Sequence, residues 1–89
     1  AQEAVACGLL NHAVPQEDLL PFCMEMAKQI AVNSSTAIAH GKRSMNAGIE
    51  MDLERALAFE ASQFGLTLAT PDASEGVAAF LEKRRPRFE

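Results

Sequence analysis

Phe80 and Lys83 stand three residues apart in EGVAAFLEKRRPRFE, and on a helix that spacing sets an aromatic ring beside an ammonium on one face. A ring that stacks on a base and a cation that meets a phosphate would together hold a nucleotide-like group. Lys83, Arg84, Arg85 and Arg87 make up half of the eight Lys and Arg residues, so the local field is positive although the formal net charge is −4. A solvated helix end with Phe80 in a core, or a surface for an acidic partner, would carry the same residues. Nucleic acid fits poorly, because the basic stretch is short and the total charge is acidic.

Elsewhere the chemistry is sparse. The sequence has no glycine-rich phosphate loop, no GxSxG, no HExxH and no Cys/His cluster, so neither a metal site nor a nucleophile is expected. Glu60 is the least ordinary carboxylate, set between Phe59 and Phe64 on a helix with two apolar faces. A lone carboxylate without a partner is a weak catalytic signal, and pairing with Lys42, Arg43 or Arg55, or exposure on a helix edge, is the simpler expectation. Cys7 and Cys23 lack a CxxC spacing and read as reduced packing thiols.

With 89 residues, 48% hydrophobic and 22% charged, the composition suits one soluble globular domain or a piece of one. A chain this short buries a modest fraction of its surface, so packing against another segment or chain is expected. It has no apolar run long enough for a membrane span, and AQEAVACG lacks the features of a signal peptide, which points to the cytoplasm or a mitochondrial matrix. The first residue is Ala1, and AQEAVAC reads as a helix body without a capping residue ahead of it. A piece of a longer protein is the expectation, although a trimmed N-terminus would look the same.

The elements that must position these residues are mostly helical. The first helix should end at Gly8, and LLNHAV follows as a short strand or extended connector closed by Pro15. From Gln16 to Val32, Leu19, Leu20, Cys23, Met26, Ala27, Ile30 and Ala31 mark one helix face, with Pro21 tolerated in the first turn. Asn33-Ser34-Ser35 breaks the chain and can cap a helix over about 36–47, which Gly48 would end in a left-handed conformation. Gly41 within it predicts a tight crossing. The next helix, about 51–69, has one stripe of Leu53, Leu57, Ala61, Phe64 and Leu68 and a second of Ala56, Phe59, Gln63 and Leu66, hence two neighbours. Thr70-Pro71 stops it, Asp72 and Glu75 read as a capping box, and a last helix over about 73–85 carries cations in its final turn.

The order of these motifs carries a resemblance. EAVACGLLNHAVP, MAKQIAVNSSTA as a variant of LAxxIAxNSPxA, GKRSMNAG, and then the run from Glu60 through TPDASEGVAAFLEKRRPRF together resemble the C-terminal part of the enoyl-CoA hydratase/isomerase (crotonase) family. The likeness covers essentially the whole chain. It implies a mainly α fold of four to five helices with one short extended segment, the C-terminal part of a ββα spiral fold. Residues 1–14 would end the core and residues 15–89 would form a helical region that builds trimers or hexamers and closes the CoA site.

What the resemblance implies for chemistry is equally specific. The substrate would be an acyl-CoA thioester of fatty-acid metabolism, with no further cofactor, and the reaction water addition to a 2-enoyl-CoA, or an isomerisation. The two catalytic glutamates and the oxyanion hole would lie upstream, so no catalytic residue falls in this chain and it should not be active alone. Phe80 and Lys83 match positions near the adenine and phosphate end of CoA, and Phe64 matches a position lining the acyl pocket. Asn33-Ser34-Ser35 replaces the family's Asn-Ser-Pro, losing a rigid turn residue while keeping the cap. The alternative from another class is a stand-alone helical interaction module, without catalysis, that binds a partner through the second stripe of the 51–69 helix.

Overall fold

A computed structural model describes residues 1–88. The chain forms two compact units, Ala1–Ile30 and Ala31 onward. In the first, α1 (Gln2–Ala6) ends in a tight reversal: the amides of Gly8 and Leu9 donate to Val5 O at 3.1 Å and Ala4 O at 2.8 Å, and Gly8 takes φ +78°. That is the left-handed helix stop expected of Gly8. The following stretch is a connector rather than a strand, and no strand occurs among the described residues. After Pro15 comes a 3-10 turn, Gln16–Asp18, leading into α2 (Leu19–Ala31), where Pro21 is accommodated in the first turn. The His12 and Phe22 rings meet edge-on, with centroids 5.1 Å apart.

The apolar residues of α2 are arranged as the spacing predicts, yet none is buried within the chain. Leu20 is 75% exposed and Ile30 54%. Both cysteines are free and exposed, which corrects the expectation of packing thiols; Cys7 Sγ donates to Ala4 O, while Cys23 lies on the uncovered α2.

The second unit holds three helices, each started by a side-chain cap. Ser34 caps α3 (Ser35–Gly48) by accepting from the Ala37 amide at 3.2 Å, and Asp52 caps α4 (Leu53–Leu68) by accepting from the Arg55 amide at 3.0 Å. Thr70 caps α5 (Pro71–Leu81), accepting from Ala73 N at 3.3 Å, with Pro71 at the first helical position where no amide is needed. The short 49–52 link folds α4 back along α3, and these two helices form the main packed pair.

Several local expectations fail for identifiable reasons. Asp72 does not cap α5, because Thr70 already does; its carboxylate is buried and accepts from Ser34 Oγ at 2.5 Å, tying the start of α5 to the start of α3. Glu75 does not reach back to complete a capping box, since it is engaged by the chain beyond the helix. Gly48 is not left-handed; it lies against α4, where an added Cβ would meet Ala56 Cβ at an ordinary contact distance of 3.5 Å. At Gly41 there is no tight crossing, because no atom lies within 4 Å of a built Cβ. The last helix stops at Leu81 rather than near Arg85, so the basic residues lie past its end.

On α4 the stripe of Ala56, Phe59 and Gln63 turns inward, and Gln63 is buried. The more apolar stripe is left outside, with Leu53 75%, Leu57 55% and Phe64 62% exposed. Ala79 is the only fully covered apolar side chain among the described residues. The unit is therefore ordered by caps and polar ties more than by a closed apolar core.

Candidate CoA-contact site

The cationic end is built on how α5 terminates. Lys83 N donates to Phe80 O at 3.2 Å and Arg84 N to Ala79 O at 3.0 Å, the paired bonds that close a helix through one left-handed residue. That residue is Lys83, with φ +54°, where glycine is usual. Gly8 closes α1 with the same bond pattern. A lysine in this region is unfavourable unless its surroundings hold it there.

Glu75 fastens the chain that follows Lys83. Arg84 grips its carboxylate with two parallel bonds, Nη1 to Oε1 at 2.6 Å and Nη2 to Oε2 at 3.0 Å, and the Arg87 amide donates to Oε1 at 2.8 Å. Arg84 Nε also donates to Glu82 Oε2 at 2.6 Å. The Arg84 hydrogen bonds, then the Arg87 amide, hold the Glu75 carboxyl down to about 2 from 4.5, and the two carboxylates push the Arg84 guanidinium up. Beyond this, the Phe88 ring returns to α5, close enough that a Cβ built on Gly76 would lie 3.7 Å from it.

Phe80 is 82% exposed within this segment. Lys83 is exposed just past the helix, and no salt bridge among the described residues engages it. The two expected contact residues are thus joined through the cap, although not on one helical face as their spacing suggested.

Phe64 belongs to a different feature, an open groove of about 690 Å³ between α3 and α4. Met45, Leu53 and Leu57 make the groove apolar, while His40, Glu60 and Gln63 supply polar groups. Thr67 Oγ1 gives its proton to Gln63 O at 2.9 Å, so it accepts from His40 Nδ1–H at 2.8 Å, which leaves His40 Nε2 as an acceptor. Gln63 Oε1 is buried without a hydrogen-bond partner. Glu60 is exposed on the groove margin, and Arg55 pairs with Asp52 rather than with it. Among the described residues no group of three or more potential metal ligands assembles, and no helix is long and apolar enough to cross a membrane. Among the described residues the chain presents a cationic corner beside an exposed ring and an apolar groove.

The enoyl-CoA hydratase/isomerase family model matches residues 1–89. The chain belongs to this family. It is 42% identical over 88 residues to crotonyl-CoA hydratase of Syntrophomonas wolfei, covering 99% of this chain and 34% of that protein. To the short-chain-enoyl-CoA hydratase of Clostridium acetobutylicum it is 36% identical, over 96% of this chain and 33% of that one. Among solved structures, the enoyl-CoA hydratase of Bacillus anthracis superposes with a TM-score of 0.93 at 36% identity, covering 99% of this chain and 34% of that chain. An enoyl-CoA hydratase/isomerase from Mycobacterium paratuberculosis gives 0.94 at 30% identity, covering 100% and 35%. The chain therefore spans about a third of the length of the relatives it matches, and its helical fold is that of the corresponding part of these enzymes.

The sequence singled out Phe80 and Lys83 but missed the Glu75 clasp on the chain that follows them. The signal was present as a glutamate nine residues before an arginine, too far for a helical ion pair and closed only by the chain reversal at Lys83.

Proposed function

We propose that this chain is the helical C-terminal part of an enzyme acting on acyl-CoA thioesters, one that adds water to a 2-enoyl-CoA. In that reading, glutamates and an oxyanion hole preceding this segment carry the chemistry. The segment itself makes subunit contacts within a trimer or hexamer and completes the CoA and acyl pockets. Phe80 stacks near the adenine, Lys83 meets a phosphate, and Phe64 lines the acyl side.

The observation that carries the reading is the match to hydratases along nearly the whole chain, ending in an exposed ring and cation in TPDASEGVAAFLEKRRPRF. Support also comes from the uncovered apolar faces of α2 and α4, which suit helices whose partners are other parts of a larger assembly. The test is hydration of crotonyl-CoA by the full-length protein. Turnover that depends on the acyl-CoA ester is expected; a correctly assembled protein without any hydratase or isomerase activity on enoyl-CoA esters would overturn the reading.

A further inference from the structure

The corner that bears Lys83 is held by contacts between α5 and the chain that follows it. Past Glu82, the chain leaves α5 and is fastened to it at three points: Arg84 to both oxygens of Glu75, the Arg87 amide to Glu75 Oε1, and the Phe88 ring over Gly76. Two of the three converge on one carboxylate. Between that clasp and the helix sits a lysine at φ +54°, a conformation from which a free chain would relax.

We propose that Glu75 is a positioning residue for the CoA end of the substrate: by gripping Arg84 and the Arg87 amide, it holds Lys83 in the left-handed conformation that closes α5 through the Lys83 N to Phe80 O bond. This rests on the reading of Lys83 as a CoA contact. Glu75 acts in two ways. It fixes the backbone on the far side of Lys83, so the ammonium is displayed from an ordered turn and less motion is lost when ligand binds. It also occupies Arg84, which is already shared with Glu82, so the guanidinium neutralises carboxylates while Lys83 is left as a cation for a phosphate.

The test is a double-mutant cycle in the full-length enzyme, with Glu75→Gln, Lys83→Ala and the pair, reading KM and kcat for crotonyl-CoA. Glu75→Gln should raise KM about threefold with kcat unchanged, Lys83→Ala about fivefold, and Glu75→Gln should add nothing once Lys83 is gone. Arg84→Gln, which opens the clasp from its other side, should reproduce the Glu75→Gln effect. In hydrogen exchange, the amides of Lys83 and Arg84 should lose protection in Glu75→Gln.

If Lys83→Ala raises KM and Glu75→Gln does not, the positioning role is wrong while the Lys83 contact stands. Equal effects of Glu75→Gln with and without Lys83 would also overturn it, since the influence would then bypass the lysine. If Lys83→Ala leaves KM unchanged, the contact reading itself fails.

Discussion

Replacing Lys83 by alanine and, separately, by glycine isolates the backbone from the side chain, because both variants lose the ammonium and differ only in their tolerance of φ +54°. On a helix or in an ordinary loop, alanine is as stabilising as glycine or more so, by up to about 1 kcal/mol. At a left-handed position the order reverses, because a Cβ there costs roughly 1 kcal/mol. The bonds at risk are Lys83 N to Phe80 O and Arg84 N to Ala79 O. Opening of this cap exposes both amides together, so hydrogen exchange reads the difference locally. One kcal/mol corresponds to about a fivefold change in opening. After correction for intrinsic rates, these amides should exchange about five times more slowly in Lys83→Gly than in Lys83→Ala, while both variants lose the same affinity for the CoA ester. Faster exchange in the glycine variant would refute the left-handed cap, and with it the reason for a clasp at Glu75.

Gly76→Ala should stabilise the protein by about 0.5–1 kcal/mol, since the new Cβ meets the Phe88 ring at an ordinary 3.7 Å and mid-helix glycine is unfavourable; denaturant unfolding at fixed protomer concentration checks it. Ser34→Ala should destabilise by about 2 kcal/mol in the same assay, because it removes the α3 cap and a donor to the buried Asp72 carboxylate. The clasp should be insensitive to pH across the neutral range. Glu75 has a lowered pKa, so its contribution is fully present above about 4.5 and fades as pH falls toward about 2, which exchange of the Arg84 and Arg87 amides at stepped pH would follow. Constant protection from pH 8 to 5 with loss below 4 is expected; a loss near pH 6 would mean another group controls the tail.

Much of the helical framework was legible because it is written in local rules. Gly8, the Ser34 cap and the Thr70-Pro71 stop each act within a few residues, and all operate as their types suggest. The errors arise where two local rules compete or where a distant residue intervenes. Asp72 and Thr70 both qualify as caps for α5; Thr70 takes the role, and Asp72 is drawn to Ser34 across 38 positions of sequence. Gly48 and Gly41 look alike in sequence, yet only the first has a neighbour, which depends on the angle of α4.

Burial was the least legible property. The apolar periodicity of α2 and α4 correctly marks faces, but it does not say whether the covering partner lies in the same 89 residues. Of the two α4 stripes, each expected to have a neighbour, the one containing Gln63 turns inward while Leu53, Leu57 and Phe64 of the other stay exposed. The candidate contacts Phe80 and Lys83 were found by residue type and by resemblance. Their setting was not, because a lysine in the left-handed region has no sequence signature of its own.

The central claim, that this corner recognises the nucleotide end of CoA, is tested most directly by comparing crotonyl-CoA with crotonyl-pantetheine as substrates of the full-length enzyme and its Lys83→Ala variant. The account predicts that Lys83→Ala lowers kcat/KM about fivefold for the CoA ester, less so at high salt, and leaves the truncated ester unaffected. An equal loss on both esters, or none on either, would contradict it.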